Sequence, residues 1–129
     1  MKVVVDAYAW VEYFLGSSAG AKVQKIVEDE RNLVLTSAVT VAELSSKFAR
    51  AGESFTDARS VLLSLSAIEP ISWESAEEVG VLHAQLRKTR KHFGLADAFV
   101  LHAARKSNAT VLTGDDDFRG LPNVRFVKR

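Results

Sequence analysis

Four acidic residues stand at positions from which they could do chemistry. Asp6 follows three consecutive valines, Val3-Val4-Val5. Glu43 lies early in a helical stretch, Asp97 sits one turn into another, and Asp115 comes just after the run Thr110-Val111-Leu112-Thr113. Carboxylates brought close together repel one another and resist ionisation unless a cation compensates them. A donor set made only of hard oxygens suits Mg²⁺ or Mn²⁺. Such ions commonly position a water molecule and stabilise in-line attack on a phosphodiester. The chain has no cysteine, which excludes disulfides, thiolate nucleophiles and Cys-ligated zinc and is compatible with a reducing cytosol.

The elements that must position these acids can be read from apolar patterning. Lys2–Val5 has the β-branched run of a short strand buried on both faces, as in the middle of a parallel sheet. Further strands are expected at Leu33–Leu35, Ile68–Ile71, Thr110–Thr113 and Val124–Val127, and Pro70 favours an edge for the third. Between them, helices are expected over Tyr8–Leu15, Ala19–Glu30, Ser37–Ala51, Ser54–Leu65, Ser72 to Arg87 or beyond, and Leu95–Lys106. Gly114–Gly120 reads as a polar loop. Strands alternating with helices predict a single α/β domain over residues 1–129, with a central parallel sheet of four to five short strands flanked by helices. In such sheets the strand ends and the starts of the following helices share one edge, and ligands bind in the crevice there. All four acids are therefore expected at one crevice.

Each acid also has an ordinary structural explanation. Asp6 could simply end a strand. Glu43 follows Thr40 in the pattern Thr-x-x-Glu, a capping box. Asp97 in a first helical turn is favoured by the helix dipole, and Asp115-Asp116-Asp117 is a sequence that readily forms Asx-turns. Their common placement, more than any one of them, points to a functional site.

Four stretches together resemble the ordered acidic motifs of PIN-domain ribonucleases, and most closely the VapC-type toxins of toxin–antitoxin pairs. They are Val4-Val5-Asp6-Ala7-Tyr8-Ala9-Trp10-Val11-Glu12-Tyr13-Phe14, Thr40-Val41-Ala42-Glu43, Gly94-Leu95-Ala96-Asp97-Ala98 and Leu112-Thr113-Gly114-Asp115-Asp116-Asp117-Phe118. The resemblance covers essentially the whole chain. It implies a PIN fold and Mg²⁺- or Mn²⁺-dependent hydrolysis of RNA that leaves a 3′-hydroxyl and a 5′-phosphate. It also implies a homodimer and a small antitoxin protein as inhibitor. Asp6, Glu43, Asp97 and Asp115 occupy the acidic positions, Asp117 matches the accessory acid, and Thr113 matches a supporting hydroxyl. The family often has Ser or Thr directly after the first Asp, where this chain has Ala7-Tyr8.

Composition bounds the rest. Seventeen Lys and Arg against sixteen Asp and Glu give a net charge of +1, so bulk charge predicts no partner. The excess of base lies in Arg87-Lys88-Thr89-Arg90-Lys91, just before the Asp97 motif. Arg87, Arg90, Lys91 and His92 are candidate phosphate contacts for RNA, and Phe93 is a candidate base-stacking residue. The alternative is a solvated helix end. His83 and His102 read as structural, and Glu12 as one half of a surface or interface ion pair. Tyr8, Trp10, Tyr13 and Phe14 make the first helix apolar almost all round, as for part of a dimer or antitoxin groove or for an ordinary core helix. A calcium loop fails, because Arg119 and Phe126 occupy the fifth and twelfth positions counted from Asp115. Phosphatase chemistry with Asp6 as nucleophile lacks a second Asp two residues on, where Tyr8 stands. A non-catalytic RNA- or protein-binding domain has no need of clustered like charges. No signal peptide or membrane span is apparent, so a cytoplasmic location is expected.

Overall fold

The strand that ends at Asp6 lies at the centre of the sheet. In a computed structural model describing residues 1–129, β1 (Lys2–Val5) is flanked by β2 (Leu33–Ser37) and β4 (Thr110–Thr113). β3 (Ala67–Glu69) and β5 (Val124–Phe126) form the edges, giving the order β3-β2-β1-β4-β5. Every pairing is parallel, with Val4 opposite Leu35 on one side and Val5 opposite Leu112 on the other. The chain winds outwards from β1 in both directions, so the gap between β1 and β4 is the switch point at which α/β sheets open a crevice. Asp6 stands at its mouth, with Thr113 across from it.

Six helices cover the sheet: α1 (Ala7–Leu15), α2 (Ser18–Val27), α3 (Ala38–Arg50), α4 (Thr56–Leu65), α5 (Trp73–Arg87) and α6 (Leu95–Ser107). Alternation along each strand sends its residues to two separate cores. Val3, Val5, Val34 and Leu112 pack with Trp10, Val23, Leu44 and Leu62 on one face. Val4, Leu35 and Val111 pack with Val79, Phe93, Leu101 and Phe118 on the other. The valines of β1 are completely buried, as expected of a strand covered on both sides. No helix is long and apolar enough to cross a membrane.

Three details differ from the reading of the sequence. The third strand stops at Glu69, because Pro70 has no N–H to continue the ladder. The polar loop after β4 contains a 3₁₀ turn, Asp116–Phe118, whose Phe118 is wholly buried. The capping box is absent: Ser37 caps α3 by accepting from the Val39 N–H at 3.2 Å. Thr40 therefore lies within the helix, buried, with its hydroxyl unpartnered. Glu43 has no N-cap to reciprocate.

The first helix is mainly a core element. Trp10 is fully buried, donates from Nε1 to Thr36 Oγ1 at 3.1 Å and stacks on Phe14. Tyr13 donates to Glu28 at 2.7 Å. Of the four aromatics, Tyr8 alone is classed as exposed. Gly20 lets α2 approach α1 closely, since a Cβ there would lie 2.0 Å from the Glu12 carbonyl oxygen.

Candidate metal centre

The site is assembled from four chain segments. Asp6 is the N-cap of α1, and its Oδ1 accepts from the Ala9 N–H at 2.9 Å. Its Oδ2 accepts a short hydrogen bond from the Thr113 hydroxyl. The same hydroxyl oxygen accepts from the Asp115 N–H at 2.9 Å, so Thr113 ties β1 to the loop after β4. Asp115 in turn caps the 3₁₀ turn, accepting from the Asp117 N–H at 2.9 Å. This turn gives neighbouring acids opposite directions. Asp116 faces outwards to Arg119 at 2.8 Å and Lys128 at 3.1 Å, while Asp117 faces the crevice.

Asp97, in the first turn of α6, completes the group. Carboxylate oxygens of Asp97, Asp115 and Asp117 all lie within 4.8 Å of one another. No Lys, Arg or His forms a salt bridge with any of these three, nor with Asp6 or Glu43. The electrostatic result is the one expected of uncompensated acids. Asp6 is pushed up to about 7, chiefly by burial and further by the charges of Asp97 and Asp115, against the lowering effect of its bonds from Thr113 and Ala9. Asp97 is pushed up to about 6, first by burial and then by Asp115, with smaller contributions from Glu43 and Asp117. Glu43, an exposed residue of α3, is raised by desolvation and then by Asp115. Asp6 and Glu43 stand outside the close trio but within its field.

This donor set fits a divalent cation of the hard class. Every side-chain donor is a carboxylate oxygen, no imidazole or thiolate is at hand, and the like charges lack a protein counter-ion. Asp97, Asp115 and Asp117 would hold the ion, with Asp6 and Glu43 behind them or reaching it through water.

The family model described as "PIN domain" matches residues 3–124, nearly the full length. The chain belongs to the PIN-domain family. No curated protein matches this PIN domain by sequence. Among solved structures it is similar to VapBC2 from Rickettsia felis bound to a DNA fragment from their promoter, at 18% identity and TM-score 0.77, over 99% of this chain and 100% of that one. It is similar to VapC20 of Mycobacterium tuberculosis, a sarcin–ricin loop cleaving toxin, at 15% identity and TM-score 0.76, over 98% and 99%. A toxin–antitoxin complex from Klebsiella pneumoniae aligns over 98% of both chains, at 22% identity and TM-score 0.73. At these identities the likeness is one of fold.

Other candidates are placed differently from the sequence reading. Phe93 is 1% exposed and packs edge-on against Phe118, so it cannot stack a base. Arg87, Lys91 and His92 are exposed, whereas Arg90 is partly buried and bonded to backbone. His83 bonds the Phe93 carbonyl at 3.0 Å and His102 meets Glu78 at 2.7 Å, both structural contacts. Glu12 is buried rather than superficial, bonded to Ser17 at 2.6 Å and Arg129 at 3.1 Å.

Two neighbours of the site were missed in the sequence. Lys128 donates to the Gly114 carbonyl and lies 5.7 Å from the centre of the Tyr8 ring. Tyr8 covers Gly114 so closely that a Cβ there would fall 2.1 Å from its Cε1. Gly114, between Thr113 and Asp115, is the one local signal for this contact. Lys128, so far along the chain, has none.

Proposed function

We propose that this PIN domain is a Mg²⁺- or Mn²⁺-dependent endoribonuclease and the toxin of a VapBC-type pair. The observation that carries the reading is the trio Asp97, Asp115 and Asp117, close together and without a protein cation. A bound ion there would supply a polarised water and stabilise charge developing on a scissile phosphate. The protein's own part is to hold the acids in place. Thr113 fixes Asp6 and the Asp115 backbone together, and the cap on α1 keeps Asp6 from turning away. Asp6, held at the mouth of the crevice by both bonds, is placed to accept a proton there. The exposed Arg87, Lys91 and His92 border the segment leading into Asp97 and would attract phosphates.

A small antitoxin fits the surface beside the site. A groove of about 840 Å³ runs from Glu43 between α1 and α3, with Tyr8, Val11 and Leu15 as its apolar wall and Lys47, Arg50 and Arg129 as cations. An amphipathic segment with acidic flanks would be complementary to it. Homodimerisation and a cytoplasmic location belong to the same reading.

The deciding experiment is cleavage of single-stranded or loop RNA by the pure protein, with Mg²⁺ or Mn²⁺ and then with excess EDTA. Cleavage should require the ion and return when it is restored. Full activity in EDTA would remove the metal mechanism.

A further inference from the structure

Arg90 belongs to the basic run that the sequence offers to RNA, yet its guanidinium is engaged elsewhere. Nη1 donates to the carbonyl of Asp117 at 3.0 Å and to that of Arg119 at 2.6 Å. Nη2 lies 3.2 Å from where a Cβ on Gly120 would stand, so the glycine leaves room for the side chain. Arg90 forms no salt bridge with any carboxylate. Its two bonds are to backbone carbonyls of the turn that carries Asp115 and Asp117, groups that cannot be neutralised or titrated away.

The position of Arg90 in the chain gives those bonds their meaning. It lies in the connection between α5 and α6, and that connection leads through buried Phe93 to Asp97. Its carbonyl accepts from the Phe93 N–H at 3.1 Å, and the Phe93 ring packs on Phe118 at 5.5 Å. Arg90 and Phe93 thus join the segment carrying Asp97 to the turn carrying the other two acids. The three carboxylates repel one another, and some contact must hold the turn against that repulsion. Phe93–Phe118 fixes the far side of the turn, and Arg90 fixes the backbone of Asp117 itself.

We infer that Arg90 is a positioning residue of the metal centre, setting Asp117 against Asp97 and Asp115 through backbone hydrogen bonds, and is not a contact for RNA phosphate. This rests on the metal-centre reading above. Groups that orient metal ligands from behind typically change affinity by about 10–100-fold when removed, whereas a phosphate contact changes the salt dependence of RNA binding.

The test measures both on the same proteins. Mn²⁺ binding is followed by electron paramagnetic resonance well below each variant's melting temperature, and binding of a non-cleaved RNA is followed in EDTA across a salt series. Arg90→Ala should weaken Mn²⁺ at least about tenfold and leave the salt slope at the wild-type value. Arg90→Lys, able to reach one carbonyl, should fall between and supplies the folded comparison if Arg90→Ala does not fold. Arg87→Ala should show the reverse pattern. Wild-type Mn²⁺ affinity in a folded Arg90→Ala or Arg90→Lys protein overturns the inference, even if the melting temperature drops. A reduced salt slope with unchanged Mn²⁺ affinity returns Arg90 to the RNA. Absence of Mn²⁺ binding by the wild type overturns the metal-centre reading itself, and the inference falls with it.

Discussion

Replacing Asp6 by Asn should stabilise the metal-free protein at high pH and leave its stability nearly unchanged at low pH. The carboxyl group of Asp6 titrates near 7 in the folded chain, against an ordinary value of 3.8. A raised carboxyl pKa means that the folded state holds the proton more tightly than the unfolded state. Stability therefore falls as pH rises between those two values and is level above the higher one. The gap is equivalent to about 4 kcal/mol, on the order of magnitude such values allow. Asn keeps one oxygen to accept from the Ala9 N–H and remains a good N-cap, while its amide NH₂ takes the place of the second oxygen and donates to the Thr113 hydroxyl, so the replacement removes the charge and reverses one hydrogen bond. Urea unfolding in EDTA at pH 4 and pH 8 checks it. Asp6→Asn should exceed the wild type by about 2–4 kcal/mol at pH 8 and by well under ~1 kcal/mol at pH 4, and it should lose RNA cleavage. An equal difference at both pH values, or a less stable variant at pH 8, would refute the argument that burial and neighbouring charge hold this group up.

Other outcomes follow from the same geometry. Glu43→Gln should keep the fold and melting temperature, since Ser37 and not Thr40 caps α3, while cleavage at limiting Mg²⁺ falls by about 10-fold or more; wild-type turnover would take Glu43 out of the site. Neutralising Arg87 and Lys91 together should lower the salt slope of RNA binding by about 1–2 and leave Mn²⁺ affinity intact; an unchanged slope makes them a solvated helix end. Gly20→Ala should lower stability by about 2–3 kcal/mol in chemical denaturation, because its Cβ meets backbone of α1 rather than a movable side chain. A loss under ~0.5 kcal/mol would mean that α1 and α2 can slide apart.

The parts of the site that were legible in the sequence are those fixed locally. Asp6 follows a strand of valines, Asp97 opens a helix and Asp115 closes a strand. Each such position is set by patterning within a few residues. Glu43 shows where local rules stop deciding. Ser37 and Thr40 are both good N-caps, and only the length of β2 determines that the helix begins at Ala38. The burial of Phe93 and the backbone bonds of Arg90 were illegible for a different reason. A run of basic residues before a glycine looks solvated, and their burial depends on Phe118 and the 115–119 turn, more than twenty residues on. Asp117, in contrast, was singled out by the family resemblance, and the 3₁₀ turn separates it from Asp116, which pairs outwards with Arg119 and Lys128.

The hydroxyl of Thr113 touches Asp6 across 107 positions of sequence. That contact exists only once β4 has docked beside β1, the pairing with the largest sequence separation in the sheet. Long-range parallel pairing is slow, because the entropy of closing the loop is lost before any contact rewards it. During synthesis from the N-terminus, Asp6 emerges first and stays without its partner until nearly the whole domain has been made. An unfinished or prematurely released chain would carry Asp6 and Glu43 but neither Asp115 nor the hydroxyl that joins the two halves. Any chemistry housed in this crevice is thus confined by topology to the completed domain.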